Sequence, residues 1–381
     1  MKLTIERSAF LKALGHVQSV VERRNTIPIL SNVLLRVDAD DGSASGPLLL
    51  SATDMDLEIV ESVGGQVERP GRTTAPAHTL YDIVRKLHEG AQISVEANSA
   101  LGGGGGLILR SGRSTFTLAC LPPEDYPVLT GGDLPYNFTL SASELRNLVD
   151  RTRFAISTEE TRYYLNGIYL HTTKSDEVPV LRAVATDGHR LARLEMVMPE
   201  GAGGMPGIIV PRKTVIELRK LVDEYEGEVQ VSLSETKIRL QVGPAALTSK
   251  LIDGTFPDYD RVIPSNNDKI LEVNCREFAE AVDRVSTIST EKSRAVKLAM
   301  DSGNLAVSAT SPENGTAIEE IEVRYHAVPI EIGFNSRYLL DITQQMDGEG
   351  ARFLISDSAS PTVVRDISDP GVLYVLMPMR V

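Results

Sequence analysis

Apolar positions alternate at the start of the chain, at Leu3 and Ile5, and then shift to a helical period at Phe10, Ala13, Leu14 and Val17. The same layout returns with Phe138 and Leu140, followed by Leu145, Leu148, Val149 and Thr152. It returns again with Leu271 and Val273, followed by Phe278, Ala281, Val282 and Val285. Alternation buries one face of a strand, and three-to-four spacing buries one face of a helix. Ser141 and Glu144 form a capping box at the strand–helix junction of the second copy, and Asn274 and Glu277 stand at the same places in the third. Glu6 holds the junction of the first copy and is expected to cap it less well. Two recurrences, with the change of period and the caps in register, indicate a domain written three times.

After its first helix each repeat continues with three short segments of strand character: 33–37, 48–52 and 57–63; then 167–171, 180–185 and 191–196; then 296–300, 305–309 and 318–323. An Ala-Thr pair ends the middle segment each time, at Ala52-Thr53, Ala185-Thr186 and Ala309-Thr310. Short strands joined by tight turns predict an antiparallel meander. A second strand–helix unit follows near 73–87, 208–222 and 330–346, with Pro76 and Pro211 near the first helical turn. Three further strands close each repeat. The reading is α+β: three tandem domains, 1–130, 131–265 and 266–381, each with two helices against antiparallel sheets and each long enough to bury its own core. The glycine run at 102–106 leads into a strand rather than a helix, so it is expected to be a hairpin tip and not a phosphate loop.

Charge changes the picture most. The net charge of −13 argues against a nucleic-acid partner if it is spread evenly. It is not: the six helical segments 7–20, 76–87, 142–155, 211–222, 275–288 and 335–346 carry +6 together, and the remainder carries −19. No apolar run is long enough to span a bilayer, and the polar Lys2, Glu6 and Arg7 argue against a signal peptide. Cys120 and Cys275 lie in different repeats without ligand-like spacing, which predicts two free thiols and a cytoplasmic protein.

The densest polar cluster is Thr186-Asp187-Gly188-His189-Arg190. A hydrolase would use His189 as a base oriented by Asp187, but no Gly-x-Ser-x-Gly elbow supplies a nucleophile. The cluster also fills the turn that Thr53-Asp54-Met55-Asp56 fills in repeat one, which favours a turn with a recognition role. Asp54, Asp56 and Glu58 read as a solvated strand edge, so no metal and no cofactor is expected. Arg162-Tyr163-Tyr164 suits phosphate contact with base stacking, or alternatively packing on a sheet edge. The chain stays apolar through Met377-Pro378-Met379, which points to docking where a terminus would ordinarily fray, or to an edge strand.

On these residues the chain resembles the bacterial DNA sliding clamp family, the beta subunit of DNA polymerase III. The resemblance runs the whole length. It rests on Arg24 with Thr26-x-Pro28-Ile29-Leu30, on 162–167, on 185–191, on Val210-Pro211-Arg212-Lys213, on 253–259 and on Met377-Pro378-Met379-Arg380. It implies a non-enzymatic processivity factor in which two chains of three domains join head to tail into a ring around duplex DNA. Basic helices facing inward would meet phosphates without reading sequence, which permits sliding. By the same resemblance Arg24, Tyr163 and Tyr164 contact DNA, while Glu159 and His78 depart from the family's polar and basic contacts. The seam would set Arg113, Phe116 and Leu118 against Ile288, Glu313 and Glu319. A pocket for short apolar peptides of polymerases, the clamp loader and other partners would use Leu165, Thr186, Gly188, His189, Arg190, Leu191, Pro257, Arg261, Val262, Asn335, Tyr338, Val375, Met377, Pro378, Met379 and Arg380. Ser293 and Ala359 stand where larger residues are usual, which implies a roomier pocket. The other reading is a repeat scaffold that does not encircle DNA.

Overall fold

The computed structural model describes residues 1–38, 46–98, 105–129, 132–289 and 294–380. Ser293 and Val381 lie outside the described residues, as do parts of the 38–46 turn, the glycine run and the 130–135 boundary.

Repeat one contains β1 (Lys2–Glu6), α1 (Arg7–Gln18), β2 (Asn32–Val37), β3 (Leu48–Thr53), β4 (Leu57–Val63) and β5 (Gln66–Arg69). It continues with β6 (Gly71–Pro76), α2 (Ala77–Lys86), β7 (Gln92–Asn98), β8 (Gly106–Ser111) and β9 (Ser114–Ala119). Repeat two contains β10 (Tyr136–Ser141), α3 (Ala142–Asp150), β11 (Gly167–Ser175), β12 (Val178–Thr186) and β13 (Arg190–Val197). Its second half is β14 (Ile208–Pro211), α4 (Arg212–Leu221), β15 (Glu228–Leu233), β16 (Lys237–Val242) and β17 (Ala245–Lys250). Repeat three contains β18 (Lys269–Asn274), α5 (Cys275–Ser286), β19 (Ala295–Asp301), β20 (Asn304–Ser311), β21 (Gly315–Glu322) and β22 (Arg324–Tyr325). It ends with β23 (Ile330–Asn335), α6 (Ser336–Thr343), β24 (Gly350–Ile355), β25 (Thr362–Asp366) and β26 (Val372–Leu376).

The caps form as the sequence predicts, with one difference. Ser141 Oγ accepts from Glu144 N at 3.2 Å while the Glu144 carboxylate accepts from Ser141 N at 2.8 Å, and Asn274 accepts from Arg276 N and Glu277 N. Glu6 is a full cap, accepting from Ser8 N at 2.8 Å and Ala9 N at 3.0 Å: its longer side chain folds back and its carboxylate suits the helix N-terminus. The helices stop short of 20, 155 and 288. Ser19, Thr152 and Thr287 turn their hydroxyls back onto the carbonyls of His16, Leu148 and Asp283, which competes with continuing the helix.

The sheets run on from one repeat into the next. The chain divides into two compact units: Met1–Arg146 with Glu200–Ala202 and Lys213–Leu251, and Asn147–Pro199 with Gly203–Arg212 and Ile252–Val381. In the first, an eight-stranded sheet runs β10-β15-β16-β17-β4-β3-β2-β6, so β17 of repeat two pairs with β4 of repeat one. A five-stranded sheet, β5-β1-β7-β8-β9, completes it. In the second, a nine-stranded sheet runs β14-β11-β12-β13-β26-β25-β24-β18-β22, with β13 of repeat two paired to β26 of repeat three. A four-stranded sheet, β21-β20-β19-β23, completes that unit. Repeat two therefore gives its strands to both units. The physical reason is edge satisfaction: unpaired outer strands of successive repeats pair across the junction instead of facing water. Cys120 and Cys275 are buried free thiols, and burial raises the pKa of both. No described helix is long and apolar enough to cross a membrane.

Candidate functional site

The Thr-Asp turn between the second and third meander strands has the same construction in repeats one and two. Thr186 Oγ1 donates to the Arg190 carbonyl at 2.7 Å and accepts from Gly188 N at 3.1 Å; Thr53 Oγ1 does the same with Leu57 and Met55 at 2.9 Å each. Asp187 Oδ1 accepts from His189 N and Arg190 N, as Asp54 Oδ1 accepts from Asp56 N and Leu57 N. Gly188 has φ +87° and Met55 φ 78°, so the glycine relieves a left-handed position that Met55 tolerates. In repeat three Ser311 stands in for the aspartate, accepting from Glu313 N and Asn314 N. Asp187 thus serves the turn and the Arg190 guanidinium, not the His189 imidazole, and the hydrolase reading loses its oriented base.

What repeat two adds is Arg190. Its guanidinium donates to Asp187 Oδ2 at 3.1 Å, Asp341 Oδ2 at 2.5 Å and the Phe154 carbonyl at 2.5 Å. It lies 4.3 Å from the Tyr338 ring centroid and 5.1 Å from that of Phe154. Only 10% of the side chain is exposed, so Arg190 ties the turn to α6 rather than offering a free charge. Asp341 and Phe154 are functional partners that sequence reasoning missed, since nothing in their local pattern sets them apart. Arg190→Ala is expected to cost about 3 kcal/mol of stability in this unit by leaving half-buried carboxylates unpaired, measurable by urea denaturation.

Around this strut the second unit gathers the residues expected to form the peptide pocket. Leu165, Leu191 and Val375 are 4%, 2% and 3% exposed and share one cluster with Ile209, Phe256 and Tyr259. All three are buried side chains of the sheet. Met377 N donates to the His189 carbonyl at 2.9 Å, and Met379 pairs with Gly333. The last residues thereby run from the Thr186–Arg190 turn to β23. Met377 is 42% exposed; Pro378 and Met379 are half-buried; Gly188, His189 and Arg380 are exposed. Asn335 caps α6, two residues before Arg337 and three before Tyr338. On the other side the 252–263 loop is pinned by Phe256, stacked on Tyr169 at 4.8 Å, and by Tyr259, bonded to His171 and Arg182 at 2.8 Å each. Burial lowers the pKa of His171 and so favours the neutral ring that accepts from the Tyr259 hydroxyl. The loop presents Pro257, Arg261 and Val262 to solvent. Ala359 is exposed in a turn built on Asp357, in the loop between β24 and β25.

Of the residues expected to contact DNA, Arg24 is exposed in the first unit. Tyr163 in the second is 54% exposed and meets half-buried Tyr164 edge-on at 5.7 Å. Tyr164 packs against the Leu165–Val375 cluster, as the edge-packing alternative expects, while Tyr163 faces outward. Glu159 pairs with Arg162 at 3.4 Å. His78 is tied at both ring nitrogens, to Gln18 and to the Val21 carbonyl, and therefore braces the loop after α1.

The expected seam residues fall on edge strands. Phe116 and Leu118 on β9 stand opposite Leu109 and Leu107, extending an apolar face to the rim of the five-stranded sheet. Both are half-buried, and Arg113 is exposed in the turn before them. β21 is the rim of the four-stranded sheet; Ile318 on it is 70% exposed. Ile288 is half-buried and Glu313 exposed. Glu319 is half-buried, and Arg284 of α5 holds both its oxygens, at 2.6 and 3.0 Å.

Comparison with known proteins agrees with this geometry. Residues 1–130, 139–258 and 260–380 match the models of the N-terminal, central and C-terminal domains of the DNA polymerase III beta subunit. The beta sliding clamp of Caulobacter vibrioides is 56% identical over 381 residues, and that of Escherichia coli K12 is 40% identical, each over the full length of both chains. The crystal structure of a Bartonella birtlesii sliding clamp bound to griselimycin superposes with a TM-score of 0.95 at 51% identity, covering 100% of both chains. A Caulobacter crescentus beta sliding clamp gives 0.95 at 56% identity, covering 100% of this chain and 99% of that one. The chain belongs to the DNA polymerase III beta subunit family, the bacterial sliding clamps, and is a processivity factor of DNA replication.

Proposed function

We propose that two copies of this chain close head to tail into a ring around duplex DNA and tether the replicative polymerase, the clamp loader and other partners through short apolar peptides. The observation that carries the reading is the pair of rim strands. β9, basic at its turn through Arg113, and β21, acidic through Glu320 and Glu322 and through Glu313 in the turn before it, each lack a neighbour on one side among the described residues. A head-to-tail dimer would satisfy both edges twice over. Arg113, Phe116 and Leu118 then meet Ile288 and Glu313, with Glu319 acting through Arg284. The three clamp domains span 1–130, 131–265 and 266–381. Arg24, Tyr163 and Tyr164 contact the duplex without sequence preference. The second-unit groove, with Val262, Met377 and Met379 at its rim over the Leu165–Leu191–Val375 floor, receives the peptides. The protein works in the cytoplasm and turns over no substrate.

Retention tests this. Protein loaded on closed circular DNA is expected to stay there in salt that abolishes its binding to linear fragments, because topology and not ion pairing holds it. Equal salt sensitivity on both would contradict encirclement and favour the scaffold reading.

A further inference from the structure

Alternation on β11 puts Tyr169 and His171 on one face. Pairing sets His171 opposite Arg182 on β12, and Arg182 opposite Glu195 on β13. The face thus carries a cross-strand row of histidine, arginine and glutamate. The row is bonded as well as aligned: Arg182 holds the Glu195 carboxylate at 2.7 Å, and Arg193, two residues back along β13, holds it at 3.2 Å. The 252–263 loop lies over this row. Phe256 stacks on Tyr169, and Tyr169 stacks in turn on His171, with 4.6 Å between ring centroids. Among the described residues, the hydrogen bonds from the loop's side chains to the sheet are both made by the Tyr259 hydroxyl, one with Arg182 and one with His171. His171 therefore touches both anchors of the loop.

The two bonds at Tyr259 have fixed directions. A guanidinium only donates, so the Tyr259 oxygen accepts from Arg182 and its own proton goes to His171 Nε2. Only a neutral imidazole with its proton on Nδ1 can take it, and Nδ1 faces the Thr172 carbonyl at 3.4 Å. Tyr259 does not adapt by ionising, since burial raises its pKa. A second proton on His171 would aim Nε2–H at the Tyr259 oxygen, leave the hydroxyl proton without this acceptor, and place a cation beside Arg182. Burial is the main cause that holds His171 below the ordinary histidine value; Arg182 adds to it, while the Thr172 carbonyl, Asp260 and Glu195 oppose it. Asp260, 3.5 Å from Arg182, is the loop's own charge at this place.

We propose that His171 is the positioning residue of the 252–263 loop, and that a proton on its ring releases the loop and weakens binding of the partner peptide. The second half rests on the reading of the second-unit groove as the peptide site, because the loop carries Pro257, Arg261 and Val262. The held loop requires neutral His171, whereas the released loop lets the ring return to about 6.5. The hold is accordingly complete above about pH 6.5 and weakens as pH falls below it, by at most about tenfold per pH unit for one proton.

The full-length protein, carbon-13 labelled at histidine Cε1 and at valine methyls, is titrated by NMR from pH 8 to pH 5. Val262, 51% exposed on the loop, reports its position, and Val375, 3% exposed in the sheet, reports the fold. The expected result is that His171 titrates below an exposed histidine, that the Val262 signal moves with the same midpoint, and that Val375 stays in place. In parallel, calorimetry follows a synthetic peptide with the sequence of the replicative polymerase's tail. Its affinity should be level from pH 8 to pH 7 and at least about threefold weaker at pH 5.5. His171→Gln keeps an acceptor for Tyr259 but does not titrate, so both the Val262 movement and the loss of affinity in acid should vanish. A Val262 signal that ignores the titration of His171 would overturn the proposal. So would an acid step that persists in His171→Gln, since it would belong to another group such as His189. A peptide that binds at no pH would instead contradict the reading of the groove, and the hold of His171 on the loop is then decided by Val262 alone.

Discussion

Removing residues 377–381 is expected to weaken binding of a polymerase-tail peptide by about 2 kcal/mol or more, roughly 30-fold in Kd. Peptide grooves owe their affinity to a few desolvated anchor contacts, and the segment supplies much of the exposed apolar surface beside the Thr186–Arg190 turn. The cut falls after β26, whose last residues Val375 and Leu376 are 3% and 1% exposed and stay in the sheet. The core is therefore retained, and the lost backbone bonds are those of Met377 with His189 and Met379 with Gly333. The dimer should survive, because β21 belongs to a different sheet from β26. Calorimetry with the peptide, beside light scattering on the same protein, checks both halves. Affinity within twofold of the parent would mean that the terminus is only an appendage of the sheet and that partners dock elsewhere.

Phe116→Glu is expected to give monomers. In one chain Phe116 is half-buried on the rim strand β9, opposite Leu109, so a carboxylate there still reaches water and the fold of the unit persists. Once a neighbouring strand covers the rim, the same carboxylate is buried without a partner, at a cost of about 3 kcal/mol or more, over 100-fold in the dimer Kd. Light scattering reads the mass, and circular dichroism confirms the fold. An unchanged dimer mass would move the seam away from β9.

The local elements were legible because their signals are local. The strand–helix switch at Leu3–Val17 and its two recurrences, the capping box at Ser141 and the Thr-Asp turn each depend on residues a few positions apart. Pairings across repeats were not legible: β17 with β4 and β13 with β26 join segments far apart, and an alternating strand carries no mark of which edge it will meet. The same limit explains the site. Arg190 was singled out, but its ties to Asp341, Tyr338 and the Phe154 carbonyl depend on the fold. The burial of Leu191 and Val375 likewise depends on β13 and β26 lying side by side in a sheet against which Phe256 and Tyr259 pack. Two-residue β22 and four-residue β5 are too short for alternation to show. The pairing of Glu319 with Arg284 joins β21 to α5 and is likewise invisible in the sequence.

The central claim is encirclement, and linearisation of loaded circles tests it most directly. Labelled protein is placed by its clamp loader on nicked circular DNA, separated from free protein by gel filtration, and the circle is then cut once by a restriction enzyme. The account predicts that protein co-elutes with the circle and leaves within minutes of cutting, by running off the ends. Protein that stays on the linear product as it did on the circle would contradict a ring held by topology.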